Sequence, residues 1–274
     1  MSKNKMLLVS NSDFHAYVLK LYEANNFEVA FDAFKFETIK LGFDGALYSY
    51  IPRLLIQNEF DVKPVFHVSQ EFNSKYLYHY TDASFECYDS AIKAVDDGVS
   101  EPFSWNGDLL FDRYLKGNKR SQEVFDTAKQ YGICDGITIP LLSSHKGIAG
   151  ASVVSDENRL FNKLMDSRLE TLTLYTRLFH NLVLSNASYQ AKFIKPLLDA
   201  LSNTEMQLLV GLSKGRSPSQ MAYELNKSEG YLEQVMLKIR RKFSGSDSKA
   251  GPLMNRNQLL FYAGLLDLLN NSDS

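Results

Sequence analysis

Apolar residues recur every three or four positions from Ser12 to about Leu41: Phe14, Val18, Leu21 and Tyr22, then Val29, Ala33, Phe36 and Ile39. That period predicts two helices, parted at Asn25-Asn26, with Gly42 ending the second. Two β-prone runs follow, Ala46-Leu47-Tyr48-Ser49-Tyr50-Ile51 stopping at Pro52, and Pro64-Val65-Phe66-His67-Val68. Both predict short strands. Ser74 to Ala83, rich in Tyr, and Gln122 to Tyr131, closed by Gly132, predict helices. The runs 137–142 and 149–154 predict two strands around a turn at 143–147. A long helix is expected from about Glu157 to Leu184, with Leu160, Leu164, Leu169, Leu172 and Leu178 among its apolar positions. Strands interleaved with helices through hairpin-like connections predict an antiparallel sheet with helices packed on it, an α+β arrangement. The small, polar stretch Ser185 to Gln190 places a linker at 186–195 between a domain at 1–185 and an all-helical one at 196–274.

In that last segment, Ser202 and Glu205 stand at capping-box spacing before a helix whose core face is Leu208, Leu209 and Leu212. Lys214-Gly215-Arg216 predicts a turn, and Ser217-Pro218 a second helix start with Pro at the first helical position. Met221, Ala222 and Leu225 form its inner face. After Asn226-Lys227, Ser228 caps a third helix from Glu229 to about Phe243, whose far end carries Lys238, Arg240, Arg241 and Lys242. Two short helices, a tight turn and a longer basic-ended helix predict a helix-turn-helix.

Composition adds limits. The 274 residues suit two domains, and 45% hydrophobic with 23% charged content is that of an ordinary globular chain. A net charge of -2 excludes a wholly basic nucleic-acid coat, though a local patch is what phosphates feel. Residues 195–274 hold ten Lys and Arg against eight Asp and Glu, so this segment is positive in a negative chain. A solvated basic helix end that suits the helix dipole gives the same pattern, and both readings stay open on these residues. Cys87 and Cys134 form no C-x-x-C pair and point to a reducing compartment. The opening apolar run, about four residues, is too short for a signal peptide, and no run reaches the roughly 18 residues of a membrane span. A cytoplasmic protein with no membrane partner is expected. His15, His67, His79, His145 and His180 lie at no metal-ligand spacing, and there is no G-x-S-x-G, phosphate-binding loop or G-x-G-x-x-G. Neither an enzyme nor a cofactor is expected.

One stretch, 72–105, mixes Phe72, Tyr76, Tyr78, Tyr80, Phe85, Tyr88, Phe103 and Trp105 with Asp89. Rings to bury a tail and a carboxylate to fix a head are what a pocket for an amphiphile needs. A plain core with one exposed Asp would show the same composition.

Two resemblances sharpen these readings. Leu201 to Glu205, Gly215 to Ala222, Leu225, Ser228-Glu229-Gly230, Ile239, Arg241-Lys242-Phe243 and Asn255 to Gln258 resemble the LuxR/NarL-type helix-turn-helix, over about the last seventy residues. Phe72 to Tyr80, Asp89-Ser90, Pro102-Phe103-Ser104-Trp105 and Gly150 resemble the autoinducer-binding domain of LuxR-type receptors, over roughly 10–185. Together they imply an N-terminal α-β-α sandwich with a central antiparallel sheet, a C-terminal all-α helix-turn-helix domain, and a dimer on double-stranded DNA answering a small amphiphilic signal. That signal is an acyl-homoserine lactone or a relative. The resemblance puts Phe72, Tyr76, Tyr80, Asp89, Trp105 and Val153 at the ligand, Asp89 accepting from an amide N–H. It puts Ser228, Tyr231, Glu233, Gln234, Lys238, Arg241 and Lys242 at the DNA.

The departures bear on chemistry. Tyr76 replaces a Trp, Ser90 replaces the Pro after Asp89, and Phe72 lacks a hydroxyl that some relatives present. Val153 falls where some relatives carry Ser. Glu233 replaces a common Lys; a carboxylate repels phosphate but accepts from a cytosine amino group, and Gln234 suits an adenine edge. Ser244 to Met254 is longer than the usual turn, and a last helix is expected over Gln258 to Leu269. The alternative reading is a sensor-fold protein with impaired DNA reading that acts through protein–protein interaction.

Overall fold

The computed structural model describes residues 11–57, 62–70, 73–155 and 158–243, with 255, 257, 259 and 260. The first ten residues, Phe72, the 244–254 loop and most of the helix expected over 258–269 lie outside the described residues. The chain divides into two units, Met1–Tyr50 with Phe66–Ser185, and Ile51–Val65 with Asn186–Ser274.

In the first unit the chain runs α1 (Asn11–Glu23), α2 (Phe27–Lys40), β1 (Gly45–Pro52), and then, after the short α3 (Arg53–Gln57) that goes with the second unit, β2 (Phe66–Val68) and α4 (Ser74–Asp82). It continues with α5 (Ser90–Asp96), β3 (Phe103–Ser104), α6 (Asp108–Leu110), α7 (Lys119–Gln130), β4 (Asp135–Ser143), β5 (Gly147–Ser155) and α8 (Asn158–Ser185). Asn side chains start several helices: Asn26 accepts from the Val29 amide at 2.9 Å and Asn73 from the Lys75 amide at 3.0 Å. Gly42, just past α2, sits at φ 101°, a conformation that disfavours any side chain.

The strands form one sheet in the order β2-β1-β5-β4-β3. β1 with β2, β3 with β4, and β4 with β5 pair antiparallel. The β4–β5 hairpin sets Thr138 opposite Ser152 and Ile137 opposite Val153, and its register shifts between Pro140 and Leu142. Proline has no N–H for a ladder, so an irregularity there is expected.

Alternation along β1 shows why helices cover both faces. Tyr48 packs on Phe27 of α2 and Phe179 of α8. Its neighbour Leu47 packs instead against the cluster that Tyr76 and Tyr80 of α4 and Val124 and Ala128 of α7 belong to. Successive strand residues face opposite ways, so α1, α2 and α8 lie on one side and α4, α5 and α7 on the other. The first side is dense with rings: Phe27, Phe31, Phe34, Tyr48 and Phe179. The second side holds the candidate ligand residues.

The second unit is helical: α3, α9 (Ala187–Asp199), α10 (Asn203–Ser213), α11 (Pro218–Glu224) and α12 (Glu229–Phe243). Residues 186–195, expected as a linker, make Asn186 the cap of α9 and supply most of its length. Tyr189, Phe193 and Leu197, four residues apart, give that helix a buried face. Leu208, Leu209 and Leu212 of α10 meet Met221 and Ala222 of α11 and Leu232, Val235, Ile239 and Phe243 of α12 in one core, and Leu55 of α3 packs on it. Capping boxes start α10 at Ser202 and α11 at Ser217. At Gly211 a Cβ would lie 2.5 Å from the Met221 sulfur, so glycine lets α10 and α11 approach. No described helix is long and apolar enough to cross a membrane.

Candidate functional site

On α4, Tyr76 and Tyr80 are four residues apart and turn to one side, both buried. Their rings meet edge to face at 5.9 Å. Tyr76 also packs on Tyr131, and Tyr80 on Phe66 and Phe85. The Tyr80 hydroxyl donates to Asp89 Oδ2 at 2.8 Å, and Asp89 Oδ1 accepts from the Ala91 amide at 2.7 Å, capping α5. Burial raises the Asp89 carboxyl above its ordinary pKa, against the pull of the Tyr80 and backbone hydrogen bonds. Burial, then the Asp89 charge, raises the Tyr80 phenol, so it stays a donor.

Trp105 follows β3. Its indole Nε1–H donates to Thr138 Oγ1 at 2.8 Å, and Thr138 shares a 3.0 Å hydrogen bond with Ser152 across the β4–β5 ladder. Gly136 makes room for the indole: a Cβ there would lie 2.5 Å from the ring. Phe125 of α7 meets the indole edge-on at 5.8 Å.

Tyr76, Tyr80 and Trp105 therefore join one aromatic layer with Phe66, Phe85 and Phe125, and Asp89 is tied to it through Tyr80. Val153 does not join them. Its neighbour Val154 belongs to the layer and Ser152 bonds to Thr138, so alternation turns Val153 to the ring-dense side. Phe72 lies outside the described residues. Thr138 and Ser152 are polar groups that the sequence reading missed; counting two residues on from Gly150, rather than three, would have found Ser152. Among the described residues no group of three or more His, Cys, Asp or Glu could hold a metal ion.

A second surface is the outer side of α12. Leu232, Val235, Ile239 and Phe243 face the core. At 100° per residue, Gly230, Gln234, Leu237 and Arg241 lie farthest from it, with Glu233 on one flank and Tyr231 and Lys238 on the other. Gln234, Glu233, Tyr231, Lys238 and Arg241 are exposed. Ser228 Oγ accepts from the Tyr231 amide at 3.2 Å and so starts the helix, while Lys227 stands over the Tyr231 ring.

Lys242 is placed differently from the rest. Its ammonium donates to Glu205 Oε2 at 2.7 Å and to the Ala200 carbonyl at 3.0 Å. Glu205 is 1% exposed and also accepts from the Ser202 amide at 2.8 Å. Burial pushes its carboxyl up, but the Lys242 and Ser202 hydrogen bonds outweigh that and hold it below its ordinary value. Lys242 thus joins the end of α12 to the start of α10. Lys238 comes within 3.6 Å of the other Glu205 oxygen yet remains mostly exposed.

A family model described as the autoinducer binding domain matches residues 26–183. Among solved structures, the crystal structure of Escherichia coli SdiA is similar with a TM-score of 0.53 and 15% identity, over 94% of this chain and 99% of that one. SdiA in complex with octanoyl-rac-glycerol matches with a TM-score of 0.50 and 15% identity, over 96% and 97%. CepR2 from Burkholderia cenocepacia, described as an N-acylhomoserine lactone dependent LuxR family transcription factor, matches with a TM-score of 0.45 and 15% identity, over 63% and 95%. No curated protein matches the chain in sequence.

Proposed function

Because the chain belongs to the autoinducer binding domain family, and with it to the LuxR-type quorum-sensing regulators, we propose that it is a cytoplasmic transcription regulator that binds double-stranded DNA as a homodimer and answers a small amphiphilic ligand. The ligand lodges among Tyr76, Tyr80 and Trp105 and is held by Asp89. It is an acyl-homoserine lactone or a related acyl compound; SdiA, similar in fold, has been seen with octanoyl-rac-glycerol. The DNA meets Ser228, Tyr231, Glu233, Gln234, Lys238 and Arg241. Lys242, spent on Glu205, steadies the reader instead of contacting phosphate.

The observation that carries the sensor reading is the Asp89 carboxylate, turned into an aromatic layer and gripped by Tyr80. A carboxylate so placed costs solvation, and a ligand donor repays part of it. For the reader, the carrying feature is a helix with an apolar inner side and an outer side that exposes Gln234, Lys238 and Arg241. Ligand would favour the folded dimer by mass action.

DNA binding by the full chain, measured over a range of salt with and without an acyl ligand, tests this. A steep loss of affinity with salt, about 0.9 in slope per phosphate contact, is expected. A second reading, regulation through another protein, is favoured by the exposed Glu229 and Glu233 on α12 and by the engagement of Lys242. Flat, negligible binding on random and selected DNA would select it.

A further inference from the structure

The connection between β1 and β2 is part of the reader. Ser49 of β1 lies opposite Phe66 of β2 in their antiparallel ladder, and strands so paired are usually joined by about two to five residues. Here the chain leaves the first unit after Tyr50, runs through Ile51–Val65 as part of the second, and returns at Phe66. A connection of that length is uncommon in a compact domain, and where it occurs it commonly serves a function. In this excursion α3 places Leu55 against the core that Leu208 and Leu212 of α10 build with Leu232 and Ile239 of α12. The reader thus takes an apolar side chain from between two strands of the sensor.

Both ends of the excursion are fixed to the aromatic layer. Leu47 of β1 and Phe66 of β2 pack against the cluster of Tyr76 and Tyr80. The Phe66 ring meets that of Tyr80 at 5.3 Å, and Tyr80 holds Asp89. Pro52 and Pro64 stand just inside the two ends. Each proline removes a backbone rotation, so a shift at Phe66 is passed along the chain and not taken up beside it. Resting on the ligand-sensor reading above, we propose that segment 51–65 is the element that couples ligand to reader: a ligand lodged beside Tyr80 repositions Phe66, and Leu55 carries that change to the core on which α10 and α12 are packed. Two states follow. With Leu55 seated, the reader core is complete; with Leu55 withdrawn, that core loses an apolar partner and its helices open more readily.

The test is hydrogen exchange of the α10–α12 amides in the full chain, with and without N-octanoyl-homoserine lactone, in the wild type, Leu55→Ala and Leu55→Met. Trp105 emission, followed alongside, reports binding of the lactone. In the wild type the lactone should change exchange in α10 and α12 by about fivefold or more. Without ligand, Leu55→Ala should exchange about tenfold faster there, having lost a packed side chain. It should bind the lactone within about threefold of the wild type, yet show a lactone effect on the reader below about twofold. Leu55→Met, close in volume, should behave as the wild type does. An undiminished lactone effect in Leu55→Ala, or equal exchange in the ligand-free wild type and Leu55→Ala, would overturn the proposal. So would a wild type whose Trp105 emission answers the lactone while α10–α12 do not; that result leaves the sensor standing. A wild type that answers by neither measure would remove the sensor reading and the coupling together.

Discussion

Protonating His180 should unfasten the first unit from the side opposite the aromatic layer of Tyr76, Tyr80 and Trp105. The residue lies on α8, is 4% exposed, and its Nδ1 meets the Tyr48 hydroxyl of β1 at 2.9 Å, while Nε2 is buried without a partner. Around it stand rings, with Tyr48 tilted against the imidazole and Phe179 its neighbour in sequence. Burial lowers its pKa from 6.5 to about 4. Above pH 6.5 the imidazole is neutral folded and unfolded, and pH has no hold on it. Between 6.5 and about 4 the unfolded chain takes a proton that the folded chain refuses, so stability falls as pH falls. Below about 4 both states are charged and the loss levels off. About 2.5 pH units at about 1.36 kcal/mol each gives about 3 kcal/mol, a large part of a typical domain's stability. Other groups titrate in the same window, so the measurement is a difference. Urea unfolding of the wild type and of His180→Gln should be followed from about pH 7 to about pH 4. The stability advantage of the wild type should shrink by about 3 kcal/mol across that range. An advantage that stays constant would refute the reasoning.

Further outcomes follow from the same geometry. Asp89→Asn should cut the ligand-induced rise in melting point, because the amide has a single accepting oxygen in place of the two that serve Tyr80, Ala91 and a ligand; a rise equal to the wild type's in a thermal shift assay would remove Asp89 from the site. Trp105 is the single tryptophan, so its emission should change on ligand binding, and Gly136→Ala, which drives a methyl group into the indole, should abolish that change and cost about 1–3 kcal/mol in denaturant unfolding. Lys242→Met should destabilise the second unit by about 1–3 kcal/mol by stripping a buried carboxylate of its main partner, whereas Lys238→Met should leave melting nearly unchanged and lower the salt slope of DNA binding by about 0.9.

How far the sequence carried depends on which physical signal each residue obeys. The helices at 11–40 and 158–185 and the hairpin at 135–155 followed from hydrophobic period, because their buried faces are long enough to repeat. β3, at two residues, and α5, at seven, are too short to show a period. Residues 186–195 looked like a linker because the stretch they begin with, Ser185 to Gln190, is small and polar, yet Tyr189 and Phe193 sit four apart and are buried. Placement of Val153 failed for another reason: spacing from Gly150 carries a residue along a strand, and one position flips its face. Lys242 read as part of a basic run because charge is visible in sequence and its partner is not; Glu205 lies 37 positions earlier. Ser90 was visible only as a missing proline; that its buried hydroxyl has no partner could not be read from the chain.

These particulars bear on how a ligand can act at all. Tyr80 already serves Asp89, and Trp105 already serves Thr138 and, through it, Ser152. The polar groups of the aromatic layer are thus largely satisfied by the protein's own side chains. A ligand then gains little by merely replacing bonds the protein makes for itself, since exchange of one hydrogen bond for another is close to neutral. Its favourable terms are burial of the acyl chain, about 0.8 kcal/mol per CH₂, and whatever new partners the fold holds in reserve. Chain length should therefore set affinity, and the head group should set discrimination only where a polar atom is still unpaired.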